Sequence, residues 1–308
     1  MRQPHTSRHI IAIAVSIFTA VVTSAVQADP RIVPVGARPE SVCRGFGGLY
    51  YVTLQGPAGG PAGDGGIAVI DGDTVRPFAV GMDDPKGIAF TGTHLVTADL
   101  KRVWIVDRWG EKRELATETS FPFPIAFLND VAAERGGSVL VTEMGARTLM
   151  RDPATTFLWP IDSPQAAAIP ATSRVYRIDG DGHVTVAVTP SREVLVMNGI
   201  TTGHGNRLLA AEFFYGNITA IKNDEKTILA TGFRGADGIE ESRRKDIYVS
   251  SFEQGIVWKL CRGRGTPEVL LSGRGRFSTA DIHLDESRGL LLVPDTLAGT
   301  VTFLRVGR

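Results

Sequence analysis

Three features of the sequence predict an all-β fold, a six-bladed β-propeller with four-stranded antiparallel blades. One pattern recurs six times, each copy is followed by further short β-rich runs, and the last copy is one run short while a spare run stands ahead of the first. A period of roughly 40–50 residues built from short strands is a propeller period. Pairing the spare N-terminal strand into the last blade closes the ring and removes the bare ends that an open array must cap.

The copies are PESVCRGFGGLYYVTL from Pro39, PKGIAFTGTHLVTADL from Pro85, LNDVAAERGGSVLVTEM from Leu128, MNGITTGHGNRLLAAEF from Met197, ADGIEESRRKDIYVSSF from Ala236 and ADIHLDESRGLLLVPDT from Ala280. Each opens with a polar residue at the head of an apolar stretch, turns through polar or glycine residues, and closes a β-rich run with small or polar residues. Third runs follow as GIAVID from Gly66, RVWIVD from Arg102, RVYRID from Arg174, NITAIK from Asn217, GIVWKL from Gly255 and TVTFLR from Thr300. Their short alternating patterns and β-branched content mark strands. Fourth runs are VRPFAV from Val75, RELATE from Arg113, HVTVAV from His183, KTILAT from Lys226 and PEVLLS from Pro267. The sixth copy has none, and RIVPVG from Arg31 is the spare. A two-domain β protein is the rival arrangement, and it leaves the missing and the spare strand unrelated.

Two stretches break the period. Gln55 to Gly65 is a Gly, Pro and Ala-rich loop. An insertion near 145–173 carries Phe157, Leu158, Trp159 and Pro160. Insertions of that length in a compact repeat are more often functional than accidental, and the expectation is a lid over the channel mouth or a flap on its rim.

Residues 1–28 read as a signal peptide: Arg2 and Arg8, an apolar run from Ile10 to Val22, then Ala25-Val26-Gln27-Ala28 before Asp29. That run is shorter than the roughly 20 residues needed to cross a bilayer. The expectation is an exported, periplasmic or secreted chain, with 29–308 as a single domain and no membrane contact after removal of the leader. Apolar residues at 43% and charged residues at 21% exclude disorder, and a formal net charge of +0 offers no field for nucleic acid. The expected partner is a small-molecule substrate of a monomer. Cys43 and Cys261 fall in repeats that are not neighbours, so separate thiols are favoured over a disulfide.

In a propeller the first strand of each blade lines the central channel. Aligning the copies puts Glu40, Lys86, Asn129, Asn198, Asp237 and Asp281 at one level of it. Converging carboxylates repel unless a cation lies among them. The donors are oxygens, without Cys or His, which points to a hard ion, Ca²⁺ ahead of Mg²⁺ because ligands from separate blades give loose geometry. Lys86 cannot ligate; it would pair with Asp281 or face a substrate anion. A solvated polar channel is the alternative.

The pieces Pro39-Glu40, Asn129-Asp130, Asn198-Gly199 and Asp237-Gly238, one per blade and in order, resemble the regucalcin/gluconolactonase family and, more distantly, the paraoxonases and diisopropyl fluorophosphatase. The resemblance implies Glu40, Asn129, Asn198 and Asp237 as ligands or near-ligands of a catalytic divalent metal, Ca²⁺ or another, and a lactonase or related esterase. In such enzymes the metal polarises the carbonyl, and Asp237 would serve as base toward water or attack directly. The sugar-lactone enzymes carry an arginine where this chain has Phe127. That departure argues against an aldonolactone and toward a hydrophobic or aromatic lactone or ester. Lys86, Phe127 and Asn129 are the candidates for substrate contact. The runner-up function is a non-catalytic binding propeller with a structural metal; a condensing or isomerising strictosidine-synthase-like enzyme comes third.

The remaining motifs read as structure. His94 and His204 fall in turns at the opposite face, and His283 points into the channel as a buried residue. Asp179-Gly180-Asp181-Gly182 is a hairpin turn rather than a calcium loop. Asn217-Ile218-Thr219 fits a glycosylation pattern but lies in a strand, and Arg243-Arg244-Lys245 is a solvated turn.

Overall fold

The computed structural model describes residues 29–263 and 265–307; the expected signal peptide lies outside the described residues. Six four-stranded antiparallel sheets form the blades. Blade one is β2 (Pro39–Arg44), β3 (Tyr50–Leu54), β4 (Gly65–Asp71) and β5 (Thr74–Met82). Blade two is β6 (Pro85–Phe90), β7 (Leu95–Asp99), β8 (Arg102–Val106) and β9 (Lys112–Ala116). Blade three is β10 (Leu128–Ala133), β11 (Val139–Glu143), β12 (Arg174–Ile178) and β13 (Val184–Val188). Blade four is β14 (Met197–Thr202), β15 (Leu208–Glu212), β16 (Ile218–Lys222) and β17 (Glu225–Ala230). Blade five is β18 (Ala236–Glu241), β19 (Ile247–Ser251), β20 (Ile256–Leu260) and β21 (Glu268–Leu271). Blade six is β22 (His283–Asp285), β23 (Leu290–Asp295) and β24 (Thr300–Arg305), completed on its outer edge by β1 (Arg31–Pro34). The ring closes as predicted, with first strands touching in cyclic order.

Apolar side chains fill the gaps between blades. Val52 and Tyr50 pack toward blade six, whereas Tyr51 between them packs toward blade two with Ile88 and Leu95. Likewise Val139 and Val141 join blade two, and Leu140 joins blade four. Both faces of each sheet are therefore buried, and the second strands read as continuous apolar runs, not as alternation.

Three local devices position the inner strands. In blades one to five the ladder slips between the first and fourth residues of the inner strand, a bulge that re-aims the second residue. A polar residue at the end of the second strand then grips the backbone just ahead of the inner strand. Asp99 accepts from Asp83 N and Asp84 N, Glu143 from Ala126 N and Phe127 N, and Glu212 from Val196 N. Glu212 also accepts from Phe214, Tyr215 and Gly216 N–H groups. Burial still pushes its carboxyl up to about 7 against those four donors.

The third device alternates. Thr53, Thr142 and Ser250, each the penultimate residue of its second strand, donate to Lys86 O, Asn198 O and Ala280 O of the next blade at 2.8, 2.8 and 2.7 Å. The same hydroxyls accept from Ser41, Asp130 and Gly238 N–H groups. Ala98, Ala211 and Pro294 hold that place in the even blades, so the ring is stitched in blade pairs.

At the seams from blade two to three and from blade four to five the inner strands approach so closely that only glycine fits. A Cβ on Gly199 would strike Asp237 O, and one on Gly87 would strike the Asp130 backbone. Gly199→Ala is expected to cost about 1–3 kcal/mol and to lower the melting temperature by roughly 2–4 °C per kcal/mol. Calorimetry reads this, and an unchanged transition would refute the seam.

Cys43 and Cys261 are unpaired; Cys43 is buried and Cys261 exposed. Asn217 is buried, with its amide donating to Glu193 O at 3.4 Å. Asp179 Oδ1 accepts from Asp181 N and His183 N, which makes that segment the expected hairpin turn.

Candidate metal and substrate site at the channel mouth

Glu40, Lys86, Asn129, Asn198 and Asp237 occupy the second place of β2, β6, β10, β14 and β18, in the bulges. All five are buried and line one cavity of about 670 Å³ at the mouth. Thus the structure gathers every predicted ligand and, with Phe127, every predicted substrate contact on one surface.

Asp281 does not join them, and the expected Lys86–Asp281 pair is not formed. The register explains why. The first residue of each inner strand faces the last of its second strand, as in Leu128↔Glu143 and Ala236↔Ser251; in blade six that partner of Asp295 is Thr279. The ring place therefore belongs to Ala280, and Asp281 is one residue further on. A one-residue slip turns a strand side chain to a different direction. Asp281 accepts from Ser41 Oγ at 2.5 Å and lines a separate cavity of about 190 Å³ below the ring, with Asp130, Cys43, Glu240 and His283. His283 does point into the channel, with Nδ1 3.3 Å from Glu240 Oε1.

Loops add groups that the repeats could not reveal. Gln55 Oε1 accepts from Lys86 Nζ at 2.9 Å, and Asp84 pairs with the same ammonium at 3.2 Å. Arg38 donates to Gln55 and lies 3.7 Å from Asp84. Arg147, Met150 and Arg151 from the insertion border the mouth, as do Phe213, Phe252 and Phe277. The rest of the insertion packs on the rim. Its short helix α1 (Pro164–Ala168), capped by Ser163, buries Ala166 beside Ile169, Leu195, Val196 and Phe214. Packing on the rim matches the flap expectation, while the start of the segment borders the cavity. These contributors come from loops of unequal length, and no periodic signal marks them.

The electrostatics single out the acids. Burial, then the charge of Asp130, pushes the Asp237 carboxyl up to about 8 against the pull of Lys86 and an Asn198 hydrogen bond. Burial, then Asp237, raises Glu40 well above the carboxylate range. Glu40 Oε2 and Asn198 Oδ1 are buried without a hydrogen-bond partner, an arrangement that costs roughly 1–3 kcal/mol per group in a native interior. Asn129 commits its NH₂ to Met144 Sδ at 3.1 Å, which leaves its oxygen as the remaining donor. Two acids raised by confinement, two amide oxygens and two orphaned atoms fit a hard divalent cation.

No protein-family model and no curated protein sequence matches the chain. Solved structures do. A protein of Xanthomonas campestris, described as a gluconolactonase important in glucose secondary metabolic pathways, superposes with a TM-score of 0.63 at 14% identity, over 91% of each chain. A structural-genomics target provisionally named a gluconolactonase gives 0.60 at 14% identity, over 90% of this chain and 92% of that one. At that identity the likeness is one of fold: this chain shares the six-bladed β-propeller of those two structures.

Proposed function

We propose that the mouth cavity hydrolyses a lactone or related ester with a divalent cation, Ca²⁺ ahead of others, held by Glu40, Asn129, Asn198 and Asp237. The observation that carries this reading is the pair of buried, unpartnered oxygens, Glu40 Oε2 and Asn198 Oδ1, on the cavity that Asp237 also lines. The fold shared with gluconolactonase-named structures supports it.

A cation bound there supplies Lewis acidity toward a carbonyl oxygen. The side chains do the rest. Asp237 accepts the proton of the attacking water, kept in the ionised form that a base requires by a cation bound beside it in place of its own proton. The Asn198 hydrogen bond to Asp237 fixes the carboxyl. Lys86, braced by Gln55 and Asp84, lies 5.5 Å from the Phe127 ring centroid and faces the substrate. Phe127 and the neighbouring phenylalanines keep the cavity wall apolar. Export, a monomeric state and a free small molecule as partner belong to the same reading.

The test is a panel of lactones and esters assayed with Ca²⁺, with chelator, and with Ca²⁺ restored. Turnover that disappears on chelation and returns with Ca²⁺ is the expected result. Turnover indifferent to chelator removes the cation from the reading. A chelator that lowers thermal stability while nothing on the panel turns over favours the binding propeller instead.

A further inference from the structure

Arg147 is the one cavity-lining cation without a match among the described residues. Arg38 and Lys86 are engaged by Gln55 and Asp84, and Arg151 by Glu253. The Arg147 guanidinium makes no hydrogen bond and no ion pair with another described residue; it lies over the Phe127 ring, 3.8 Å from the centroid. Burial lowers its pKa, with only a distant pull from Asp84 in opposition. Five N–H donors in a rigid fork therefore face a cavity walled by Phe213, Phe252 and Phe277. A divalent cation on Glu40 and Asp237 would leave the lining with an excess of positive charge, which an anionic ligand balances.

We propose that Arg147 is a specificity residue of this site, taking the carboxylate of a lactone or ester whose apolar or aromatic body rests against Phe213, Phe252 and Phe277. A guanidinium recognises a planar carboxylate through two parallel hydrogen bonds. The Phe127 face holds the fork in place by cation–π attraction, so little freedom is lost on binding. The insertion thereby brings a guanidinium to the Phe127 ring, which Lys86 from the repeat also borders. Naming the ligand a substrate rests on the hydrolase reading; the anion site itself does not.

The test is calorimetric titration of the calcium-loaded full chain with 3-phenylpropionate and with the isosteric 3-phenylpropionamide, for the native chain, R147Q and R147K. The native chain is expected to prefer the carboxylate by about 10–100-fold, as charge-assisted hydrogen bonds imply. R147Q should erase that preference, and R147K, which keeps the charge but not the fork, should retain part of it. Three results overturn the proposal: a preference intact in R147Q, no preference or no binding in the native chain, or a preference lost on chelation alone. Binding is read without turnover. A chain that selects the carboxylate through Arg147 yet hydrolyses nothing sinks the hydrolase reading and keeps the anion site. Calcium-dependent hydrolysis with the carboxylate preference intact in R147Q does the reverse.

Discussion

Asp237→Asn is expected to lower lactone or ester turnover by about 10³-fold, within the range of general-base contributions, while raising the melting temperature of the cation-free protein. The two effects have opposite signs because they draw on different properties of one side chain. Asparagine keeps the shape and one carbonyl oxygen, so the bulge of β18 and the contact to Asn198 survive, but it cannot accept a proton. The native carboxyl is pushed up to about 8 by burial and by Asp130, so its ionised form is disfavoured in the fold, and a neutral amide escapes that cost. The measurements are kcat/KM at saturating Ca²⁺ and calorimetry in chelator at pH 8. Activity retained within tenfold would remove Asp237 as the base. A melting temperature that falls along with activity would make the loss one of folding instead.

The architecture was legible because closure writes itself into the repeat. The missing outer strand after Thr300–Arg305 and the spare Arg31–Pro34 describe the same ladder from its two ends. Five ring residues were legible too, since Glu40, Lys86, Asn129, Asn198 and Asp237 stand at one place of five inner strands that share a bulge. Blade six misled by one residue. Asp281 resembles Asp237 as an acid after alanine, but the ladder there resumes only at His283, and Thr279 takes the first place. A finer signal was present: Thr53, Thr142 and Ser250 against Ala98, Ala211 and Pro294 mark where a hydroxyl reaches the next ring carbonyl, and that bond ends on Ala280. What stayed hidden is what loops carry. Gln55, Asp84 and Arg147 reach the mouth through turns without period, and the chain around each says nothing of the cavity it will border.

The second large effect is a pH-dependent stabilisation by calcium: about 10 °C at pH 8 and about a third of that at pH 5.5. Without a cation, Glu40 and Asp281 have pKa values well above the carboxylate range, Asp130 is pushed up to about 7 and Asp237 to about 8, burial being the first cause in each. The folded chain therefore binds protons that the unfolded chain has released, and stability falls as pH rises. The contribution of Asp130 and Asp237 is complete below the unfolded values near 4 and is lost as pH rises through about 7 and about 8; Glu40 and Asp281 act in the same sense. Paired surface acids act in the opposite sense, but Glu134, held low by Arg177, titrates below that window. Calcium at the mouth takes the place of the protons on Glu40 and Asp237, so its binding releases protons and strengthens as pH rises. At a free concentration about 1,000 times Kd the gain is roughly 4 kcal/mol, or some 10 °C at the usual 2–4 °C per kcal/mol. Asp130 and Asp281 line the lower cavity and not the mouth, so some downward slope with pH should persist even in saturating calcium. Thermal melts at the two pH values, with chelator and with calcium, separate these parts. A calcium shift of equal size at both would mean that the ion binds away from the raised carboxyls of Glu40 and Asp237.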